Sequence, residues 1–208
     1  MLGSKLRELL GRARGPLGQA VSVDFGDEHT PLKELAELLS EMNGFFAFNA
    51  GVQIFHAGGD GFGPELSYWN ARETWKEAFD GLADKYFCFG QDILGMQYAI
   101  QEGTALVRFD PETARSSHIG YSLEDWAAWL LDNPEINGTS ILAKVWQDQK
   151  GPLEPGQRLV PLKFFEFGGE VSFDNLVVKD AVEAMRVRGP IAVQIHDLPP
   201  GSEIRLQS

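Results

Sequence analysis

Apolar positions along the chain switch between a helical and a strand period. Leu32, Leu35, Leu38, Leu39 and Met42 mark one face of a helix. Thr30 serves as its N-cap, Pro31 fits the first helical position, and "NG" at 43–44 ends it. "GVQIFHA" (51–57) reads as a strand and "GGDGFGP" as a loop. Asn70 and Glu73 have capping-box spacing for a second helix that buries Trp75, Ala78, Phe79 and Leu82.

The stretch "YFCFGQDILGMQYAI" (86–100) and its continuation to residue 109 predict a three-strand meander. A four-residue loop "DILG" (92–95), with Gly95 left-handed, sets Gln91 opposite Met96 and Phe89 opposite Tyr98. The same register sets Gly90 opposite Gln97, Cys88 opposite Ala99 and Phe87 opposite Ile100. A two-residue turn "EG" (102–103) then sets Ile100 against Ala105, Tyr98 against Val107 and Met96 against Phe109. The large apolar residues thereby share one face, with Leu106 the exception.

"DPETA" (110–114) is a turn leaving the meander, and Ser122 with Asp125 caps a third helix carrying Trp126, Trp129 and Leu130. A fourth helix over 139–151 is expected to bury Ile141, Leu142, Val145 and Trp146. "GPLEPGQRLVP" reads as a loop, and 163–173 as a hairpin around Gly168–Gly169. "NLVVKDAVEAMRVRG" holds a fifth helix, and "IAVQIHDLPPGSEIRL" a last hairpin. Adjacent hairpins interspersed with helices predict an α+β fold, its sheet largely antiparallel and covered by helices on one face.

The net charge of −12 is unevenly placed: residues 1–20 hold Lys5, Arg7, Arg12 and Arg14 against Glu8, and the remainder is more acidic than the whole. Residues 1–28 read as a basic helix and connecting arm, residues 29–208 as a single domain. An acidic body repels nucleic-acid phosphates and attracts a basic protein partner. One cysteine builds no disulfide framework, and no run approaches the ~20 apolar residues of a membrane span. A cytoplasmic protein is the expectation.

Motifs for chemistry are sparse. "GGDGFG" (58–63) follows a strand but meets Pro64 rather than a helix N-terminus, so it makes no dinucleotide cradle. The four histidines lie in four separate segments without metal-ligand spacing, and Cys88 sits within a strand. No catalytic residue, metal or cofactor is assigned. Glu166 falls on the apolar face of the 163–173 hairpin, where partial desolvation would raise its pKa, or at the rim of the sheet. Asp92 is the other acidic residue set among aromatics, at the hairpin corner.

The order "YWNARETWKEAF", "FCFGQDILGMQYAI", "VRFDPETA", "SLEDWAAWLL", "RLVPLKFFEFGGE", "DLPPGSEIRL" resembles that of the SUKH superfamily. This is the Smi/Knr type of yeast cell-wall-synthesis regulators and bacterial toxin-immunity proteins. The resemblance runs from the first long helix to the C-terminus and excludes the basic arm. Glu166 departs from it, standing where an apolar residue is expected, and so does the apolar "KFF" entry. The resemblance makes 29–208 a SUKH-like domain and implies a non-catalytic binding protein that blocks a cognate toxin, often a nuclease. Asp60, Glu65, Glu112, Glu166 and Glu170 are the candidate partner-binding carboxylates. Two rival readings are a scaffold docking through its N-terminal helix and a small-ligand enzyme using Glu166 or Asp92.

Overall fold

The computed structural model describes residues 2–26 and 30–199. Its frame is a seven-stranded sheet in simple chain order: β1 (Ala13–Arg14), β2 (Phe45–Ala47), β3 (Val52–Ile54), β4 (Tyr86–Asp92), β5 (Gln97–Gln101), β6 (Ala105–Phe109) and β7 (Ser116–Gly120). Every neighbouring pair is antiparallel. A second, two-stranded sheet pairs β8 (Gln157–Pro161) with β9 (Leu176–Asp180). The helices are α1 (Ser4–Leu10), α2 (Thr30–Glu41), α3 (Leu66–Asn70), α4 (Leu123–Asp132), α5 (Ser140–Lys150) and α6 (Ala181–Ile195). The α+β class with an antiparallel sheet is as the sequence indicates.

The meander is present, with both turns altered by one residue. Phe87 faces Ile100 and Cys88 faces Ala99 as expected, but Gly90 faces Tyr98 and Gln91 faces Gln97. A bulge at Phe89 absorbs the difference, because Asp92 N–H bonds to Met96 O at 2.9 Å and leaves a turn of three residues, 93–95, rather than four. Gly95 is left-handed at φ +81°. The second turn takes three residues, 102–104, with Glu102 and Gly103 both at positive φ. Ile100 therefore faces Leu106, Tyr98 faces Arg108, and Gln97 faces Phe109.

This register distributes apolar residues to both faces, and helices cover both. Gln97 accepts the indole N–H of Trp69 at 2.8 Å. On that face Phe109 packs against Trp75, Phe79 and Tyr86. The next residue, Tyr98, points the other way and lies edge-on to Trp126 and Trp129 of α4. One-sided cover, read from the unshifted register, is thus corrected.

The N-terminal arm belongs to the domain. Leu6 and Leu9 of α1 are buried in the main core, and β1 extends the sheet. Glu124 of α4 caps α1: its carboxylate accepts N–H bonds from Lys5 (2.6 Å) and Leu6 (3.1 Å) and the Ser4 hydroxyl (3.2 Å). Gly3 permits that approach, since a Cβ there would overlap the carboxylate.

Other expectations are revised for local reasons. Asn70 caps no helix. Its amide pairs with Cys88 N (2.8 Å) and O (2.7 Å) as a strand residue would, so α3 ends there and only a 3-10 turn, Lys76–Phe79, follows. The stretch 163–173 is no hairpin: Phe165–Phe167 form a 3-10 turn, and the Asn175 side chain ties Lys163 and Glu170 across it. "QRLVP" is a strand instead of a loop, and 191–195 continue α6 instead of opening a hairpin. The capping side chain read for Thr30, and the strand read beyond Pro199, lie outside the described residues. In α5, Ala143 and Trp146 are buried, whereas Ile141 and Val145 are exposed. Trp146 stacking on Phe173 fixes that rotation. The capping box of Ser122 and Asp125 on α4 is present.

Removing the α1 cap is expected to cost about 1 kcal/mol, the usual worth of a cap. Desolvation raises the Glu124 carboxyl, but the bonds from Lys5, Leu6 and Ser4 outweigh it and hold the group below its ordinary value. A depressed carboxyl stabilises above the unfolded-state pKa, and that contribution fades as pH falls through the folded one. Urea unfolding should therefore show the Glu124→Ala deficit in full at pH 7 and a shrinking deficit below the ordinary carboxylate range.

Candidate functional site

The tip of the β4–β5 hairpin collects the most unusual electrostatics of the molecule. Asp92 is completely buried. One carboxylate oxygen accepts the N–H groups of Leu94 (2.9 Å) and Met96 (3.0 Å), and the other takes Nη2 of Arg108 at 2.6 Å. Asp92 thus closes its own turn and pairs with the strand two away. Both oxygens of this carboxylate are engaged in structure.

Beside that tip lies a cleft of about 390 Å³, between the meander, the turn after β6, the 3-10 turn and α6. Its apolar wall includes Leu94, Met96, Phe165 and Val171, and its charged wall Arg108, Asp110, Glu112, Glu166 and Arg188. Glu112 and Arg188 are both buried. Glu112 Oε2 accepts the Glu166 N–H at 3.2 Å, but Oε1 has no partner among the described residues. Arg188 Nη2 donates to Leu94 O at 3.0 Å, while its Nε and Nη1 lack a partner there, and so does Nε of Arg108. Burial pushes the Glu112 carboxyl up, against the Glu166 N–H and the Arg188 charge, which hold it down. Burial likewise lowers Arg188, with Glu112, Asp110 and Asp92 opposing. Buried donors and acceptors are normally paired, so this wall has the hydrogen-bonding capacity to accept a polar group.

The turn after β6 explains how Glu112 is drawn in. Asp110 accepts the Glu112 N–H (2.8 Å) and the Thr113 hydroxyl (3.1 Å), folding "DPET" inward. Gly95 matters on the opposite wall, since a Cβ there would lie 2.9 Å from Arg188 Nη1.

Of the five candidate carboxylates, the structure brings two, Glu112 and Glu166, into this cleft. Glu112 lies in the cleft wall, buried rather than exposed as its loop position suggests. Glu166 is also in the wall but exposed, the reverse of the desolvated placement, because the expected hairpin is absent. Glu170 is exposed beside Val171. Asp60 and Glu65 lie elsewhere: Asp60 is exposed on its loop, and Glu65 caps α3 through the Tyr68 N–H at 2.7 Å. The arginines of the cleft are not marked by any motif. For Arg188 a signal exists, since it falls on the buried stripe of α6 with Ala184, Met185 and Ala192.

Cys88 and Lys76, two further titratable groups of the interior, are structural. Burial pushes the Cys88 thiol up to about 12 against the nearby Lys76 charge, so it is a poor nucleophile. Lys76, lowered by burial, donates to Tyr86 O (2.7 Å) and Asn70 Oδ1 (3.2 Å). Among the described residues no group of three or more His, Cys, Asp or Glu is placed to hold a metal ion. No described helix is long and apolar enough to cross a membrane.

No family model matches the chain, and no curated protein matches it. Among solved structures, the crystal structure of Atu4351 from Agrobacterium tumefaciens is similar, with a TM-score of 0.52 at 14% identity over 87% of this chain and 86% of that one. That likeness is one of fold.

Asp92→Ala would leave Arg108 and two hairpin N–H groups without their acceptor. Breaking a buried pair from one side is expected to cost about 3–5 kcal/mol. Asp92→Asn, which keeps an acceptor for the turn but not the charge, should lose most of the same amount in urea unfolding. A loss under about 1 kcal/mol in both variants, the level of an ordinary surface pair, would show the ion pair to be dispensable.

Proposed function

We propose that the chain is a non-catalytic protein-binding module, an immunity protein that neutralises a cognate bacterial toxin in the cytoplasm by docking a basic surface of it. The observation that carries the reading is the convergence of Glu112 and Glu166 on one cleft, with Glu170 exposed next in sequence to its Val171, and a buried carboxylate oxygen there that has no partner among the described residues. An exposed apolar residue stands beside these acids: Val171, in the same cleft wall, is 58% exposed. Acidic groups around an apolar patch suit a partner with basic and apolar side chains, the acids steering encounter and the patch holding it. The SUKH-like order of motifs and the −12 net charge favour the same partner class. The scaffold reading, which needs α1 free to dock, loses its support because Leu6 and Leu9 are buried.

Co-expression with the toxin encoded beside the gene should yield a complex and protect cells. The double charge reversal Glu166→Lys, Glu170→Lys alters only exposed positions and should weaken that complex at least tenfold, about 1.4 kcal/mol, with the fold intact. Binding should also weaken at acid pH, beginning above the ordinary carboxylate range, because the raised Glu112 carboxyl protonates early. No complex with that toxin, or full affinity after charge reversal, would refute the reading.

A further inference from the structure

A second cleft, of about 480 Å³, opens on the other side of the same hairpin tip, where Ile93 rather than Leu94 forms the wall. Its charge is opposite in sense to that of the molecule. Arg12, Arg14 and Arg158 line it against a single carboxylate, Glu154, in a chain of net charge −12.

Arg158 forms its floor and is buried. Its guanidinium donates to the carbonyls of Pro155 and Gln157, and the Gln91 amide oxygen turned toward it lies 3.1 Å from Nη2 and 3.2 Å from Nε. No carboxylate forms an ion pair with Arg158 among the described residues. Desolvation pushes it down to about 9, with Asp92 opposing. A buried cation with no ion-pair partner creates a positive potential that favours an incoming anion. At the mouth, Arg14 is exposed and its guanidinium meets no partner among the described residues. Among the described residues Arg12 reaches only the exposed Glu8, at 2.7 Å.

The rest of the wall is mostly apolar, with Asn49, Ser140 and Gln147 among the aromatic and aliphatic side chains, and one part of it is fixed in shape. Phe46 and Phe48 are half-buried there. Phe48, Asn49 and Ala50 all have positive φ, 52°, 58° and 60°, a run that L-residues adopt only when surroundings impose it. Here the imposition is visible: Asn49 donates to Ser140 Oγ at 3.0 Å, Gln147 donates to Asn49 O, and Gly51 N closes the turn on Phe48 O at 2.9 Å. Helix α5 thus holds the strained turn, and the turn presents Phe48 to the cleft.

We infer that this cleft binds a small phosphate-bearing ligand with a flat apolar body, its phosphate held by Arg12 and Arg14 above the buried Arg158 and its ring against Phe46 and Phe48. Guanidinium forks match phosphate oxygens, and the volume suits a mononucleotide-sized molecule. The site is separate from the acidic cleft, and its test needs no protein partner.

Isothermal titration of the full chain with AMP, ribose 5-phosphate, adenosine and inorganic phosphate tests it at low salt. AMP should bind with a Kd below about 1 mM and at least about tenfold tighter than each of the other three. Arg12→Glu, Arg14→Glu should lower AMP affinity at least tenfold, with the thermal unfolding of the ligand-free chain unchanged. Absence of AMP binding up to about 10 mM, or unchanged affinity in the variant, would overturn the site. Adenosine binding as tightly as AMP would remove the phosphate from the proposal, and ribose 5-phosphate binding as tightly would remove the ring.

Discussion

One buried carboxylate organises this molecule. Asp92 sits at the corner of the central hairpin with no solvent contact, pairs with Arg108, and is close enough to Arg158 and Arg188 to support both charges. An isolated ion in such surroundings would cost several kcal/mol, so the corner is stable only as a set. The set also fixes geometry. With Leu94 and Met96 bound to Asp92, the flanking residues turn outward to opposite sides, Ile93 to the arginine-lined cleft and Leu94 to the acidic one. The same tip joins the two sheets: Ile93 donates to Gly51 O and accepts from Leu159 N, both at 2.9 Å. Both candidate surfaces therefore depend on a turn of three residues.

Much of the frame is legible in the sequence because strands and turns carry local signals. Alternation locates the meander, Gly95 marks its left-handed turn, and Ser122 with Asp125 marks the start of α4. What escapes the pattern is a matter of single residues. Each turn differs in length by one, and a one-residue slip exchanges the faces of a strand. Leu106, the misfit in the expected register, is the clue that both faces are apolar. Polar side chains that replace backbone partners leave no periodic trace: Asn70 acts as a strand residue toward Cys88, and Glu124 caps a helix far away in sequence.

The site is legible by composition but not by placement. Two of the acidic candidates, Glu112 and Glu166, do share one cleft, yet they exchange roles in it. A turn that folds inward through Asp110 buries the first, and a 3-10 turn in place of a hairpin exposes the second. Arg188 carries a more general point. On a helix whose buried stripe is otherwise small and apolar, a charged residue costs desolvation unless it meets a partner. Its position in the helical period is therefore a functional signal in its own right.

The open hydrogen-bond positions of Glu112 and Arg188 separate a binding cleft from a mere gap in packing. Each unsatisfied buried group costs about 1–3 kcal/mol, and an apolar pair of similar volume would avoid the cost altogether. Asp92 shows that the fold can satisfy a buried charge when stability alone is at stake, since both of its oxygens are engaged. A carboxylate oxygen and two guanidinium nitrogens without partners among the described residues lie on the same cleft wall. A partner group offering both a donor and an acceptor pairs with them on entry, and one offering neither does not. Selectivity on this account comes from what the cleft lacks as much as from the acidic rim around it.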